Sequence, residues 1–499
     1  MALKFGISGL RGTIGDEADN LTPDVVLAYA RAFGAWVREN SPMRTPLVAL
    51  GYDGRRSSPM IADLVRGGLL SSGCAVLDLG LSLTPTVQFT VSHHATVAAG
   101  VMVTASHNPL PWNGLKFVDG EGRFIPLDVW ARLHEIVERA GWVWLPLTQI
   151  PHVRPWHDEA HRRHMQAVLN AVPVEAIRGA RLRVALDACN GGAARWGDML
   201  RALGCEVIAC HTEQHGFFAR PPEPLPQHLG TLAALVRNAQ CDVGLAADPD
   251  GDRLALVDER GDPISEEFTV VLCARERLMN RRDGVVVTNV VTTHALEDVL
   301  PNARVVRTAV GEMNVVNGVV AHEAVLGGEG SGGIIVPDVH LARDGMAAAA
   351  LILSLLAQTG EPLSALVAQI PAWRMVKRKI EPRGIAADDV RALFAAWQQT
   401  PPHVECSDGH VYLASRDGSL TLAADDEGVR VEGVLPDRRR FATTLADAES
   451  RTLVQRLATT APTLDLTDGV KLDGGDVWLS LRPSNTEPIV RLMGEWRGD

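Results

Sequence analysis

The chain has 499 residues, of which 46% are hydrophobic and 22% are charged, and its formal net charge is −12. This length predicts several domains, and the ordinary globular composition argues against long disordered tails. The acidic balance and the lack of a long Lys/Arg run exclude nucleic acid and anionic membranes as expected partners, so any anion must be bound locally.

The sequence has no feature typical of export or membrane insertion. Its first residues lack the extended apolar segment of a signal peptide, and no apolar run reaches about 18 residues. The seven cysteines are scattered, odd in number and without a CxxC pair, which predicts reduced thiols and argues against a zinc site. We therefore expect a cytoplasmic protein. We separately expect a monomer or a homodimer.

The first two thirds of the chain alternate short β-branched runs with amphipathic stretches. This rhythm predicts sheets covered by helices. Helices are predicted to begin near Thr22-Pro23 and near Ser58-Pro59, where a capping residue precedes proline and apolar periodicity follows. The predicted strands cover residues 47–51, 75–79, 100–104, 182–187, 205–209, 243–246, 284–289 and 303–307.

Turn-rich segments divide the chain into four predicted domains. Cuts near 151–155, 261–263 and 371–382 give domains over 1–152, 153–260, 261–373 and 374–499. The last domain has a different sequence pattern. Its segments at 429–434 and 477–481 have an alternating pattern, which predicts antiparallel strands. The predicted fold class is therefore α/β, with three sequential mixed or parallel α/β sandwich domains followed by a smaller C-terminal α+β domain.

The first chemical signal is the hexapeptide TASHNP at residues 104–109. It follows the apolar run 98–103, so Ser106 is expected at the carboxyl end of a strand, where open α/β sheets place their ligands. Ser106 is then a nucleophile or a phosphate carrier. The alternative is an ordinary Ser/Asn-rich turn whose side chains bond their own backbone.

The second signal is DPDGDR at residues 248–253. Asp248, Asp250 and Asp252 alternate in a loop bent by proline and glycine, so they can converge on one hard cation such as Mg²⁺. The alternatives are a solvated acidic turn and part of a calcium loop. The β-like flanks argue against an EF-hand, which requires helices on both sides.

The third signal is the glycine-rich stretch LGGEGSGG at residues 326–333. It lacks the ending of a Walker loop and the register of a dinucleotide fingerprint, which disfavours nucleotide binding. Glu329 and Ser331 could exchange hydrogen bonds with sugar hydroxyls. Any glycine-rich turn would look similar.

The fourth signal is RPSNTEP at residues 482–488, after a strand-like segment. Arg482, Ser484, Asn485 and Thr486 offer a guanidinium, two hydroxyls and an amide, and Arg491 follows on the next apolar run. Together with turn backbone N–H groups they could form a cup for a phosphate dianion. The alternative is a surface turn.

In this order, the four motifs resemble those of the α-D-phosphohexomutase superfamily, and the resemblance spans residues 5–491. It implies four domains around a central cleft, with a phosphorylated serine bound to Mg²⁺. Transferred residue by residue, it makes Ser106 the phosphoserine and a metal ligand. The remaining implied roles are three metal ligands (Asp248, Asp250, Asp252), two sugar-binding residues (Glu329, Ser331) and five phosphate-binding residues (Arg482, Ser484, Asn485, Thr486, Arg491).

The resemblance also places a lysine near the reacting group. The segment NGLK at residues 113–116 fits the family pattern, which makes Lys116 the candidate general acid/base, with a pKa lowered by a nearby cation. The alternative for Lys116 is a solvated surface lysine. Arg11, His107 and Arg253 are implied to line the same centre and to stabilise charge on the transferring phosphoryl group.

The implied activity is that of a phosphosugar mutase. Phospho-Ser106 would convert a hexose or hexosamine monophosphate to a 1,6-bisphosphate, which turns over and returns its other phosphoryl group. Many phosphomannomutase/phosphoglucomutase relatives have histidine where this chain has Gly333, and many bacterial phosphoglucosamine mutases have glycine in place of Asn485. We lean to glucosamine phosphate, with mannose or glucose phosphate as the alternative.

Two other classes of function fit the sequence less well. A non-catalytic protein that binds sugar phosphates would be expected to have lost Ser106, Lys116 or an aspartate, and all are present. A serine-dependent metal phosphatase would not need the loops at 326–333 and 482–488. The mutase is therefore the favoured function.

Overall fold

The structure is a computed structural model. It describes residues 3–6, 9–15, 20–139, 145–281, 283–381, 385–407, 409–484 and 489–498. Contacts divide the chain into two compact units. The N-terminal unit comprises Met1–Val287, Leu300–Val306 and Gly311–Gln369, and the C-terminal unit comprises Thr288–Val299, Arg307–Val310 and Ile370–Asp499.

The first sheet is mixed and has seven strands. Its elements and the neighbouring helices are β1 (Lys4–Gly6), β2 (Gly9–Thr13), α1 (Pro23–Asn40), β3 (Leu47–Tyr52), α2 (Ser58–Ser71), β4 (Ala75–Leu81), α3 (Thr84–His93), β5 (Val97–Val103), β6 (Trp112–Val118), α4 (Leu127–Glu138) and β7 (Val153–Pro155). The strand order is β1-β2-β6-β5-β3-β4-β7. β3 pairs in parallel with β4 and β5, whereas β6 pairs antiparallel with β5 and β2. The loop after β5 thus faces a strand that returns beside it.

Helix α1 begins where its sequence predicts. Thr22 accepts a hydrogen bond from the backbone N–H of Val25 at 3.3 Å, and Pro23 occupies the first turn, where its missing N–H costs nothing. Val26, Phe33 and neighbours on one face are buried against the sheet. This burial supplies most of the helix's stability.

Two four-stranded sheets follow. Their elements are α5 (His157–Asn170), α6 (Val174–Ala180), β8 (Arg183–Asp187), α7 (Trp196–Ala202), β9 (Glu206–Cys210), α8 (Gly230–Ala239), β10 (Val243–Ala247), β11 (Leu254–Val257), α9 (Glu267–Leu278), β12 (Gly284–Asn289), α10 (Ala295–Val299), β13 (Ala303–Thr308), α11 (Glu312–Ala321), β14 (Leu326–Glu329), β15 (Gly333–Ile335), α12 (Gly345–Thr359) and α13 (Leu363–Ala368). The strand orders are β11-β10-β8-β9 and β13-β12-β14-β15. In each sheet a parallel core carries an antiparallel hairpin, β10–β11 or β14–β15, and both hairpin loops carry predicted site residues.

The C-terminal unit contains two antiparallel five-stranded sheets. Their elements are β16 (Trp373–Ile380), α14 (Ala387–Gln399), β17 (His403–Ser407), β18 (His410–Ser415), β19 (Gly418–Asp425), β20 (Gly428–Val434), β21 (Arg440–Leu445), α15 (Ala448–Leu457), β22 (Thr463–Asp465), β23 (Val470–Asp473), β24 (Val477–Pro483) and β25 (Val490–Arg497). The orders are β16-β25-β24-β23-β22 and β17-β18-β19-β20-β21. Trp397, Leu413 and Leu453 belong to one core that joins both sheets and both helices.

The predicted fold class is confirmed: the chain is mixed α/β, with a sheet-rich C-terminal part. All eight predicted strands are present, and the segments predicted as antiparallel lie in β20 and β24. Sequence reasoning missed β6, because this strand follows the Ser106 loop after a proline-rich turn. The four domain boundaries remain predictions.

No helix in the described ranges is both long enough and apolar enough to cross a bilayer. All seven cysteines are free thiols, and five of them are buried. Burial raises the pKa of Cys74 and of Cys189 to about 12, so both stay protonated at neutral pH.

Helix α15 offers a test of the C-terminal unit's stability. Asp447 accepts hydrogen bonds from the Ser450 backbone N–H at 2.9 Å and from Arg378 at 2.8 Å. Burial raises the pKa of Asp447, but these bonds outweigh burial and lower it to about 2. We expect Asp447→Ala to reduce the free energy of unfolding by about 1 kcal/mol at pH 7, measured by urea denaturation.

The pH dependence of this effect has a definite sign. A carboxylate with a lowered folded-state pKa stabilises above its unfolded pKa of about 4, and that stabilisation is lost as the pH falls toward 2. The difference between wild type and Asp447→Ala should therefore shrink between pH 4 and pH 2. Asp426→Ala, at an exposed turn of the same unit, is the matched control. An equal loss in both variants at pH 7 would contradict the capping role.

Candidate active site

Ser106 lies three residues beyond the end of β5, in a turn that buries its side chain. Its φ is +52°, a left-handed conformation that non-glycine residues adopt only at a cost. The Ser106 hydroxyl donates to Asp248 Oδ2 at 3.1 Å and lies 3.3 Å from His107 Nδ1. The turn also has the local bond expected of an ordinary turn, from Ser106 N to Thr104 Oγ1 at 2.8 Å. The hydroxyl itself, however, faces a residue from another sheet.

Asp248, Asp250 and Asp252 lie in the loop of the β10–β11 hairpin, and all three are fully buried. Gly251 has φ +69° and allows the sharp bend between them. One oxygen from each carboxylate lies within 4.8 Å of the other two. This geometry matches neither a solvated turn nor an EF-hand.

The carboxylate cluster has the properties of a cation site. Burial and the neighbouring charges of Asp252 and Asp250 raise the pKa of Asp248 well above its usual range. The Oδ1 atoms of Asp250 and Asp252 are buried and accept no hydrogen bond from any described residue. Buried oxygen donors left without a proton donor are suited to a hard divalent cation, so the residues present fit Mg²⁺.

Lys116 lies on β6, opposite Met102 of β5, and is buried rather than solvated. Its Nζ donates to Asp250 Oδ2 at 2.7 Å and lies 3.4 Å from Asp252 Oδ2. Burial lowers the pKa of Lys116, but Asp250 and Asp252 outweigh burial and raise it. This direction is opposite to the lowered pKa expected of Lys116 as a general acid/base.

Three further charged or polar groups surround the serine loop. Arg11 donates to Asn108 Oδ1 at 2.7 Å, and burial lowers the Arg11 pKa only to about 10, so it remains a cation. Burial, together with Arg253 and Arg11, lowers the pKa of His107 well below its usual range, so this imidazole is neutral at pH 7. Arg253 lies 3.9 Å from Asp252 Oδ1. The structure therefore brings the predicted phosphoryl-transfer residues of the N-terminal unit together.

The glycine-rich loop joins β14 to β15. Glu329 ends β14 and accepts a hydrogen bond from the Gly311 backbone N–H at 3.2 Å, while Ser331 lies half-buried in the turn. Arg343 bonds Glu329 at 3.0 Å and also Asp252 at 2.7 Å. One guanidinium therefore connects the predicted sugar loop to the predicted metal loop.

Sequence reasoning missed Arg343 as a site residue. Besides Glu329 and Asp252, it forms an ion pair with Glu312 at 3.0 Å. Gly333 makes room for it, because a Cβ at Gly333 would lie 2.4 Å from Arg343 Cδ. The glycine at 333 is thus explained by packing, which a single sequence does not reveal.

The predicted phosphate residues lie in the C-terminal unit. Arg482 of β24 is directly opposite Arg491 of β25, which is directly opposite Lys379 of β16. Arg482 also forms an ion pair with Asp468 Oδ2 at 3.5 Å. Ser484 ends the row, and its backbone N–H donates to Ile489 O at 2.8 Å. Asn485 and Thr486 lie outside the described residues.

Lys379 was also missed at the sequence level. Its place beside Arg491 follows from the β16–β25 register, which joins strands over 100 residues apart. Directly paired residues point to the same face of a sheet, so Lys379, Arg491 and Arg482 form one row of cations. We call these three residues the cationic row.

The chain is similar to known proteins in sequence and in fold. Three family models match the chain: phosphoglucomutase/phosphomannomutase, alpha/beta/alpha domain I over residues 2–143, domain II over 162–261 and domain III over 265–373. A phosphoglucomutase/phosphomannomutase of Thermococcus kodakarensis is 30% identical over 100% of this chain and 96% of its own length. A probable phosphoglucosamine mutase of Methanopyrus kandleri is 31% identical over 99% of this chain and 94% of its own.

Among solved structures, a phosphoglucomutase/phosphomannomutase family protein from Burkholderia thailandensis has the same fold. Its TM-score is 0.74 at 22% identity, and the match covers 99% of this chain and 93% of that protein.

Proposed function

This chain belongs to the phosphoglucomutase/phosphomannomutase family of the α-D-phosphohexomutases, and we propose that it interconverts the 1-phosphate and 6-phosphate of a hexosamine by way of phospho-Ser106. It is an isomerase of the phosphotransferase type, and its partner is a small-molecule sugar phosphate. One observation carries the proposal. The buried Ser106 hydroxyl lies 3.1 Å from Asp248, and Asp250 of the same carboxylate cluster binds Lys116 at 2.7 Å.

The proposed reaction has two balanced halves. In the first, the bond between phosphorus and Ser106 Oγ breaks as a bond forms between phosphorus and the free hydroxyl oxygen of the sugar phosphate. The proton of that hydroxyl ends on Ser106 Oγ, and we assign its relay to Lys116. In the second half, the 1,6-bisphosphate presents its other phosphoryl group, and the same steps run in reverse.

The residues of this chain contribute mainly position and charge, which dominate phosphoryl transfer. Arg11 and Arg253 are cations at the serine loop and oppose the negative charge of a phosphoryl group. Neutral His107 can offer Ser106 Oγ a hydrogen bond without adding charge. Glu329 and Ser331 are proposed to bind the sugar hydroxyls.

We propose Mg²⁺ as the metal cofactor, held by Asp248, Asp250, Asp252 and an oxygen on Ser106. The donors are all oxygens, which this hard cation prefers. When bound, Mg²⁺ would stabilise negative charge on the transferring phosphoryl group. Lys116 would then share Asp250 and Asp252 with the cation, and the attraction that raises its pKa would be weaker.

Glucosamine phosphate is the proposed substrate, with mannose or glucose phosphate as the alternative. The similarity to the probable phosphoglucosamine mutase of Methanopyrus kandleri supports it, over nearly the whole of both chains. Gly333 supports it too, because the histidine of many phosphomannomutase/phosphoglucomutase relatives at this position would displace Arg343.

One assay tests the proposal. The purified chain is given Mg²⁺, a trace of hexose 1,6-bisphosphate, and glucosamine, mannose or glucose 1-phosphate in parallel, and products are followed by ³¹P NMR. We expect the corresponding 6-phosphates as products, with the highest kcat/KM for glucosamine 1-phosphate. Binding of the bisphosphate without turnover would instead support a non-catalytic sugar-phosphate protein, and release of inorganic phosphate a phosphatase.

The cationic row is proposed to bind a phosphate group of the sugar phosphate. Arg491 is its central member, so we expect Arg491→Gln to raise KM for the sugar phosphate roughly 10- to 100-fold, the loss of a charged hydrogen bond. Steady-state kinetics measures this change. Arg497→Gln, at the far end of the same strand and paired with Asp298, is the matched control. An unchanged KM in Arg491→Gln would contradict the proposed role.

A further inference from the structure

Arg55 is a buried arginine that sequence reasoning did not single out. It lies between β3 and α2 and is 1% exposed. An arginine side chain has five N–H donors, and here its nitrogens make five hydrogen bonds. The acceptors are Asp53 Oδ2 at 3.0 Å and the carbonyl oxygens of Ser106 at 2.5 Å, Asn108 at 2.6 Å, Pro109 at 2.8 Å and Trp112 at 3.0 Å.

Three of these carbonyls, those of Ser106, Asn108 and Pro109, belong to the loop that carries Ser106, and the fourth belongs to Trp112, the first residue of β6 after the loop. Each is a main-chain group, so Arg55 determines the path of the loop rather than the chemistry of any one side chain. Ser106 sits in this loop at φ +52°, a left-handed conformation that an L-residue adopts only at an energetic cost. Such a conformation persists only where surrounding contacts hold it, and the bond from Arg55 to Ser106 O does so directly.

Asp53 completes the arrangement. Its carboxylate pairs with Arg55 and also accepts hydrogen bonds from Thr104 Oγ1 at 2.7 Å and Ser58 Oγ at 2.5 Å. The Thr104 hydroxyl in turn accepts the Ser106 backbone N–H at 2.8 Å. Both peptide groups of Ser106 are therefore held by one network, one through its N–H and the other through its carbonyl.

The charge of Arg55 is neutralised within this network. Asp53 and Arg55 are both fully buried at ion-pair distance, so the pair adds little net charge at Ser106. Electrostatic stabilisation of a phosphoryl group is thus a smaller effect of Arg55 than the geometry it imposes. A lysine would keep the charge but lose the planar fork that reaches four carbonyls.

We propose that Arg55 is a positioning residue: it fixes the Ser106 turn so that Oγ faces the carboxylate cluster, and thereby determines the rate of phosphoryl transfer rather than the affinity for the sugar phosphate. The proposal rests on the proposed function of Ser106. A displacement of about 1 Å in a reacting group can cost about 10²-fold in rate. We therefore expect Arg55→Lys to lower kcat by about 10²-fold and to leave KM nearly unchanged.

The test compares Arg55→Lys with Arg307→Lys. Arg307 lies in the C-terminal unit, where it likewise donates to carbonyl oxygens, those of Asn289, Thr292 and Thr293. The kcat, the KM and the melting temperature are measured for both, together with the rate at which hexose 1,6-bisphosphate phosphorylates Ser106, read by intact mass. The rate of Ser106 phosphorylation should fall together with kcat in Arg55→Lys, and neither should fall in Arg307→Lys.

A second pair of variants covers the case in which Arg55→Lys does not fold. Thr104→Val removes the hydroxyl that links Asp53 to the Ser106 N–H and keeps the side-chain shape. Thr90→Val removes a buried hydroxyl that bonds only the carbonyl of Thr86 among the described residues, and serves as control. We expect kcat to fall about tenfold in Thr104→Val, with KM and melting temperature close to those of the control.

Two results would overturn the proposal. One is a rise in KM at unchanged kcat in Arg55→Lys or Thr104→Val. The other is a fall in kcat no larger than in the matched control. Failure of the proposed function gives a different result, because the wild-type protein itself would then not phosphorylate Ser106.

Discussion

Ser106→Ala is expected to abolish mutase activity, with a fall in kcat of more than about 10³-fold. The physical reason is that no other described hydroxyl combines burial, a left-handed turn and direct contact with Asp248. Removing Oγ removes the atom that carries the phosphoryl group between the two halves of the reaction. Incubation with hexose 1,6-bisphosphate should therefore add a phosphoryl group to the wild type and none to the variant.

The matched control is Ser92→Ala. Ser92 is an exposed serine at the end of α3 whose hydroxyl bonds the carbonyl of Gln88 at 3.1 Å. Removing the Ser92 hydroxyl should leave kcat and the mass of the phosphorylated protein unchanged, apart from the missing oxygen. A Ser106→Ala protein that still interconverts sugar phosphates at a rate near that of wild type would refute the phosphoserine role.

Asp250→Asn is expected to weaken Mg²⁺ binding by about 100-fold or more. Loss of groups that merely orient metal ligands already costs about 10- to 100-fold in metal affinity, and Asp250 would contribute a ligand oxygen itself. Its Oδ1 is buried without a hydrogen-bond donor among the described residues, whereas its Oδ2 accepts from Thr84 and Lys116. An amide at this position removes the negative charge that a cation requires.

Metal binding is measured directly, by calorimetric titration of Mg²⁺ or Mn²⁺ into the protein, and in parallel as the Mg²⁺ concentration for half-maximal activity. Asp262→Asn is the matched control, because Asp262 follows the same hairpin in an exposed turn. Equal metal affinities for Asp250→Asn and wild type would exclude the carboxylate cluster as the cation site.

Much of the site could be predicted from sequence because its signals are local. Ser106 and the three aspartates follow strands whose pattern is visible in a few residues, and the glycine-rich loop is marked by its composition. In α/β sheets the ends of such strands are where ligands bind. The structure then brought Ser106 to Asp248 across 142 residues and Lys116 to Asp250 across 134. The phosphate-binding role of the 482–488 loop remains a prediction.

Other parts of the site lacked a local signal. Arg343 bonds Asp252 across 91 residues, and its partner Gly333 is informative only once the packing is known. Lys379 joins the cationic row through strand register. The raised pKa of Lys116 depends on the distances to two carboxylates, which no spacing in the sequence specifies.

By itself the sequence determined which chemical groups are present and on which turns they lie, because turn residues, strand patterns and side-chain identities are properties of short segments. It also determined the family, through four motifs in one order. Only the tertiary structure decided how Ser106 is held. Four of the five acceptors of Arg55 are backbone carbonyls. Because every residue has a backbone carbonyl, no residue pattern in the sequence can predict such a contact.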